Sequence, residues 1–190
     1  MPMPPVAEIR HYFEGAWRLA RGDVGGMNHF DFSADGFWRS FWAVVIVAPG
    51  YALLVADQYM RRDEPVDFWP TLVAESLSYL LGWVAFPILA IFITRFYGVA
   101  NRYVPLIVTL NWSSQVQIAA FLVPVALGVI LPGELVALLL MLVTGAVLVY
   151  QGFIIKTALD CPVGTAVAFL AVDLVAIMLI NGLVFGLFVR

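Results

Sequence analysis

The sequence predicts an all-α, polytopic integral membrane bundle of about five transmembrane helices, preceded by an N-terminal amphipathic helix at the membrane interface. Of its 190 residues, 63% are hydrophobic and 12% charged, about half of the roughly 25% charge carried by a soluble domain. The mean hydropathy is +0.94. Five separate runs reach the roughly 20 apolar residues that cross a hydrocarbon core of about 30 Å. They lack the alternation of barrel strands, and backbone groups in lipid must be satisfied within their own segment, so each run is read as a helix.

The chain divides into a cytoplasmic segment, 1–36, and a transmembrane domain, 37–190. The opening Met1-Pro2-Met3-Pro4-Pro5 leads into charged residues rather than an apolar run. It therefore does not read as a cleavable signal peptide, and the first span is expected to serve as an uncleaved anchor. Between residues 6 and 21, Val6, Ile9, Phe13, Ala16, Trp17 and Ala20 recur at helical spacing, with Glu8, His11, Glu14, Arg18 and Arg21 on the other side. Two placements fit this pattern. Phe13 and Trp17 dip toward acyl chains while Arg18 and Arg21 meet lipid headgroups, or the helix packs on the protein's own cytoplasmic side. Gly22, Gly25 and Gly26 end it. Ser33 or Asp31 is positioned to cap the next helix, and Phe37-Trp38-Arg39-Ser40-Phe41-Trp42 reads as an interfacial anchor.

The spans are expected near 37–56, 71–94, 104–131, 134–155 and 163–189. Pro49-Gly50, Pro87 and Pro124 fall inside three of them and should kink or locally unwind them. Leu131-Pro132-Gly133-Glu134 makes a tight turn between spans three and four. Seven basic residues (Arg10, Arg18, Arg21, Arg39, Arg95, Arg102, Lys156) fall on one side, against Arg61, Arg62 and Arg190 on the other. That bias predicts a cytoplasmic N-terminus and an external C-terminus. The loop after span one also carries Asp57, Asp63, Glu64 and Asp67, which weigh little in this rule. Nine of the ten basic residues are arginine, a compositional hint of a bacterial source and hence of an inner membrane.

Asp173 is the sharpest polar feature. It lies about ten residues into span five, roughly 15 Å deep, where a charged Asp costs about 2.5–3.5 kcal/mol on insertion scales. It is read either as a proton- or cation-handling group or as a buried acid bonded to amides on neighbouring helices. Span three supplies candidates: Asn111, Ser114 and Gln115 share one face, and Gln117 lies beside them. Gln115 is at nearly the depth of Asp173, so a bond between the two is expected. Glu75 should sit near the outer interface within reach of water. Gly182 and Gly186 form a small-xxx-small pair that lets a helix approach closely, within the protein or in a dimer, with packing inside the protein the expected use.

Several function classes fall away. A net charge of −3 does not suggest a nucleic-acid partner. One cysteine, Cys161, excludes an internal disulfide and a multi-cysteine metal site. His11 and His29 are isolated in sequence, so no metal site is expected. There is no phosphate-binding loop, dinucleotide fingerprint, zinc-protease motif or serine-nucleophile elbow. No cofactor is expected, and the reading leans away from an enzyme.

The junction Tyr97-Gly98-Val99-Ala100-Asn101-Arg102-Tyr103-Val104-Pro105-Leu106 marks the entry to span three. With the Phe37-Trp38-Arg39-Ser40-Phe41 opening, five close spans and short loops, it resembles the Rab-interacting Yip family of five-span membrane proteins and its prokaryotic relatives. The resemblance covers most of the chain from Asp31 onward. It implies a fold and a topology but no functional residues. The functional expectation is a non-enzymatic inner-membrane scaffold contacting the lipid bilayer and membrane-protein partners, or a homo-oligomer. The alternative is a small transporter or channel component using Asp173, Gln115 and Asn111.

Overall fold

A computed structural model describes residues 3–62 and 66–189. The expectations touching Met1, Pro2, Asp63, Glu64 and Arg190 lie outside the described residues. The described residues form seven α-helices in order: α1 (Val6–Ala20), α2 (Ala34–Ser40), α3 (Trp42–Met60), α4 (Phe68–Phe96), α5 (Tyr103–Leu127), α6 (Gly133–Leu159) and α7 (Val163–Phe188), with short 3-10 turns at Val24–His29 and Ala100–Arg102. Among the described residues there is no strand. Five helical segments are long and apolar enough to cross a membrane, α2 and α3 together forming the first. The chain is an all-helical, multi-pass membrane bundle.

Local chemistry sets the ends of these helices. After α1, Gly22 takes φ +77°, the Asp23 N–H donates to the Arg18 carbonyl and the Gly22 N–H to Leu19. That is the paired bonding of a Schellman cap, which favours glycine because the backbone turns left-handed. Gly98 closes α4 in the same way, at φ +71°. Ser33 caps α2, accepting from the Gly36 N–H at 3.0 Å, while Asp31 accepts from the Ser33 N–H at 2.9 Å. Pro49, Pro87 and Pro124 all lie inside continuous helix. The expected unwinding is absent there, and the break in the first span falls instead at Phe41, between α2 and α3.

Helix α5 is the centre of the bundle, touching α1, α2, α3, α4 and α6, while α7 packs on α4 and α6. Half of its most apolar stretch is buried within the protein, against 11–22% for the other spans, whose outer faces are left to lipid. One buried cluster gathers Tyr12, Ala16 and Leu19 of α1 around Trp112, with Val108 and Ile154. The other surrounds Phe169 with Phe86, Ala90, Leu106, Ile107 and Ile155. Trp38, Phe96 and Tyr97 at one end, and Phe68 and Trp69 at the other, are exposed, as aromatic residues at a membrane–water boundary are.

Helix α1 combines features of the two placements offered for it, docking on the bundle through Tyr12, Ala16 and Leu19 and leaving Phe13 and Trp17 uncovered. Phe13 and Trp17 remain 40% and 51% exposed, beside the still more exposed Val6. The helix thus carries two apolar stripes, one covered by protein and one uncovered. The expected close packing on Gly182 and Gly186 is not seen: both face open space, and among the described residues no helix approaches them closely. Arg18 bonds Asp23 at 2.7 Å and ties down the turn after α1, and Arg21 is exposed.

A partly buried ionic cluster clamps α1 to α2. Arg39 reaches Glu8 at 2.8 Å and Asp31 at 2.6 Å, and the Tyr12 hydroxyl donates to Glu8. The Ser33 N–H, helped by Arg39, holds the Asp31 carboxyl below the usual carboxylate range. A depressed carboxyl contributes stability that is present above its unfolded value, roughly pH 4, and is lost as pH falls through the lower folded value. Thermal unfolding in detergent should therefore show wild-type protein losing more stability than Asp31→Asn between pH 5 and pH 3 (approximate limits set by those values). Equal losses would mean that this clamp is energetically silent.

Candidate functional site

Asp173 sits on the buried face of α7, in helical register with Phe169 and Ala176. It is the eleventh residue of a 26-residue helix, so it lies roughly 15 Å along the axis, near the middle of a membrane. Helices α6 and α7 are antiparallel neighbours joined by a short turn. Asp160 opens that turn in the left-handed region at φ 52°, which its short polar side chain tolerates, and Pro162 follows. The pairing brings Gln151 of α6 level with Asp173, and its Nε2 donates to the carboxylate at 2.5 Å.

The partner of Asp173 is therefore Gln151, not the expected Gln115. Helix α5 packs on α6 and α3 while α7 packs on α4 and α6, so α5 does not present Gln115 to the carboxyl group. Gln115 is buried elsewhere, its Nε2 without a partner. Ser114 donates to the Asn111 carbonyl at 2.6 Å within α5. Asn111 Nδ2 donates to the Ser40 hydroxyl at 2.9 Å, and that hydroxyl donates to the Phe37 carbonyl at 2.7 Å.

A cavity of about 320 Å³ opens against Asp173. Asn111, Gln117, Gln151 and Asn181 supply its amides, and Ser78 and the tyrosines Tyr51 and Tyr79 its hydroxyls. Of the five residues expected to cluster, Asp173, Asn111 and Gln117 share this space, whereas Ser114 and Gln115 do not line it. The Ser78 hydroxyl is buried without a hydrogen-bond partner. Trp83 and Phe86 add aromatic surface to the same wall.

A second cavity, about 360 Å³, shares Tyr51 and Asn181 with the first and extends to Gln58, Glu75 and Arg62. The Tyr51 hydroxyl donates to Glu75 at 2.8 Å, and Arg62 approaches the other oxygen of Glu75 at 4.0 Å. Glu75 thus lies toward the end opposite α1, as expected, but it is tied to α3 rather than simply solvated. Tyr79 stacks on Tyr51 at 4.6 Å and donates to the Val44 carbonyl at 2.6 Å. These two tyrosines bridge α3 and α4. Polar groups consequently run from Arg62 and Glu75 through Tyr51 and Asn181 to Asp173 and Gln151.

Chemically, this is an acid held by one amide and open to a space of ligand size. A polar group at this depth is costly unless paired or hydrated, and the cavity offers room for a partner. Compared with known family models, curated proteins and solved structures, the chain matches none.

Sequence inspection missed Tyr51, Ser78 and Tyr79, because a single hydroxyl in an apolar run carries no periodic signal. Gln151 had a readable signal, an amide inside a span, but its pairing depends on how far the α6–α7 turn offsets the two helices.

Proposed function

We propose that this protein is a small transport protein or channel component of a bacterial inner membrane that binds a small organic cation at Asp173. The observation that carries this reading is the cavity against that carboxyl group, which sets four amides and three hydroxyls among apolar walls, where a purely structural acid would be sealed between helices. Aromatic rings narrow the substrate class. Tyr51, Tyr79, Trp83 and Phe86 line the same space, and a desolvated cation is attracted both by a carboxylate and by aromatic faces. A bare Ca²⁺-like ion favours six to eight oxygen ligands instead, and a proton needs no space of this size.

The excess of basic residues near α1 supports a cytoplasmic N-terminus and a periplasmic C-terminus. In that orientation the second cavity, with Glu75 and Arg62, is the periplasmic approach. The Yip-like features of the front segment and of the entry to α5 support the same arrangement, and we read the chain as a bacterial relative of that family on those residues alone.

Proteoliposomes loaded with tetramethylammonium test the transport reading. Efflux should exceed that of protein-free liposomes by about tenfold or more, the factor that corresponds to 1.4 kcal/mol. Efflux equal to the protein-free control would overturn it.

A scaffold or membrane-organising role is the second reading, favoured by the uncovered Val6, Phe13 and Trp17 stripe beside Arg10 and Arg21. Such a stripe suits contact with an anionic lipid surface. Partner proteins or a second copy of the chain remain compatible with it.

A further inference from the structure

We infer that His11, Glu14 and His29 form a binding site for one divalent transition-metal cation of the Zn²⁺ class, fastening α1 to the turn that follows it. His11 and Glu14 are three residues apart on α1, hence on one face. His29 ends the 3-10 turn Val24–His29. The Gly22 cap reverses the chain, and two glycines allow the turn to lie directly on the helix. A Cβ on Gly26 would come within 2.4 Å of the Gly15 carbonyl oxygen, and one on Gly15 within 2.6 Å of the His29 Cβ. This contact requires glycine on both sides, and it sets the His29 ring 4.5 Å from that of His11.

One ligand atom from each of the three side chains lies within 4.8 Å of the other two. Zinc bonds of about 2.0–2.1 Å in tetrahedral geometry place neighbouring ligand atoms roughly 3.4 Å apart, so small side-chain rotations close the site. Two imidazoles and one carboxylate form a common zinc donor set and leave a fourth position for water.

These groups are not consumed by the fold. The His29 Nδ1 is buried without a hydrogen-bond partner. Arg18, the natural i,i+4 partner for Glu14, is engaged with Asp23 at 2.7 Å. The two histidines look isolated in sequence. The glycine contact is what brings them together.

The test uses the full chain in detergent micelles, prepared without a histidine tag and stripped of metal, titrated calorimetrically with Zn²⁺. One equivalent should bind, and Zn²⁺ should raise the melting temperature. Substitution with Co²⁺ should give the intense visible bands of tetrahedral coordination. His29→Gln and Glu14→Gln should each weaken binding by roughly tenfold or more, since even outer-shell changes cost that much. Glu14 is on the exposed face, so its variant keeps the fold and reports on ligation alone. Absence of stoichiometric binding to the wild type would overturn the assignment, as would equal binding by the His11→Gln/His29→Gln double variant.

Discussion

Replacing Trp112 with alanine is expected to destabilise the protein by about 3–5 kcal/mol, the range for removing a large buried aromatic. Trp112 is 1% exposed and stacks on Tyr12 at 4.5 Å, with Ala16, Leu19 and Phe30 in the same cluster. Within a bilayer, helices gain little from hydrophobic transfer, because lipid tails are as apolar as leucine, so packing dominates. The loss at Trp112 is therefore chiefly one of contacts along a void that nothing refills. Its consequence is directional. Helix α1 loses its main attachment while α3 to α7 remain packed, so trypsin should cut at Arg10 and Arg21 well before the wild type is cut. Unfolding in mixed micelles measures the first effect and gel analysis the second. A cost below about 1 kcal/mol with unchanged proteolysis would show that α1 is held some other way.

Asp173→Asn is expected to bring tetramethylammonium efflux close to the level of protein-free liposomes, while the protein stays folded and monodisperse. Asparagine keeps the shape of the side chain and still accepts the Gln151 hydrogen bond through its carbonyl oxygen. The negative charge is all that is lost, and with it the attraction for a cation inside a low-dielectric wall. Gln151→Leu makes the opposite change. It removes the partner and leaves the charge, at a stability cost of the order of 0.6 kcal/mol, the average for an interhelical hydrogen bond in a membrane. Flux in that variant should persist in part. Wild-type flux in Asp173→Asn would remove this carboxyl group from any transport step.

The membrane spans were legible in the sequence because long apolar runs report their own solvent. Their arrangement was only partly so. Asn111, Ser113, Ser114, Gln115 and Gln117 all fall in α5, the span most buried within the protein, a consequence of its polar content that the sequence reading did not draw. That none of those side chains bonds Asp173 was not readable, because the sequence does not say that α7 packs on α4 and α6 rather than on α5. The docking stripe of α1 was not readable for a related reason. The helix carries two apolar stripes, and a pattern of apolar spacing does not say which is covered by protein. The expected use of Gly182 and Gly186 failed because small residues permit close approach without requiring it. Gly15 and Gly26, unremarkable as sequence, are where backbone contact occurs.

Transport at Asp173 requires that water and small cations reach the carboxyl group through the cavity beside it. Cysteine accessibility tests this most directly, with Asp173→Cys in a Cys161→Ser background, treated in proteoliposomes with the small charged reagent methanethiosulfonate ethylammonium. Leu179→Cys, on the exposed outer face of α7, serves as the lipid-facing control. Reaction at position 173 should be about tenfold or more faster than at 179, a difference of 1.4 kcal/mol in barrier. Reaction at 173 as slow as at the lipid-facing position would contradict that access.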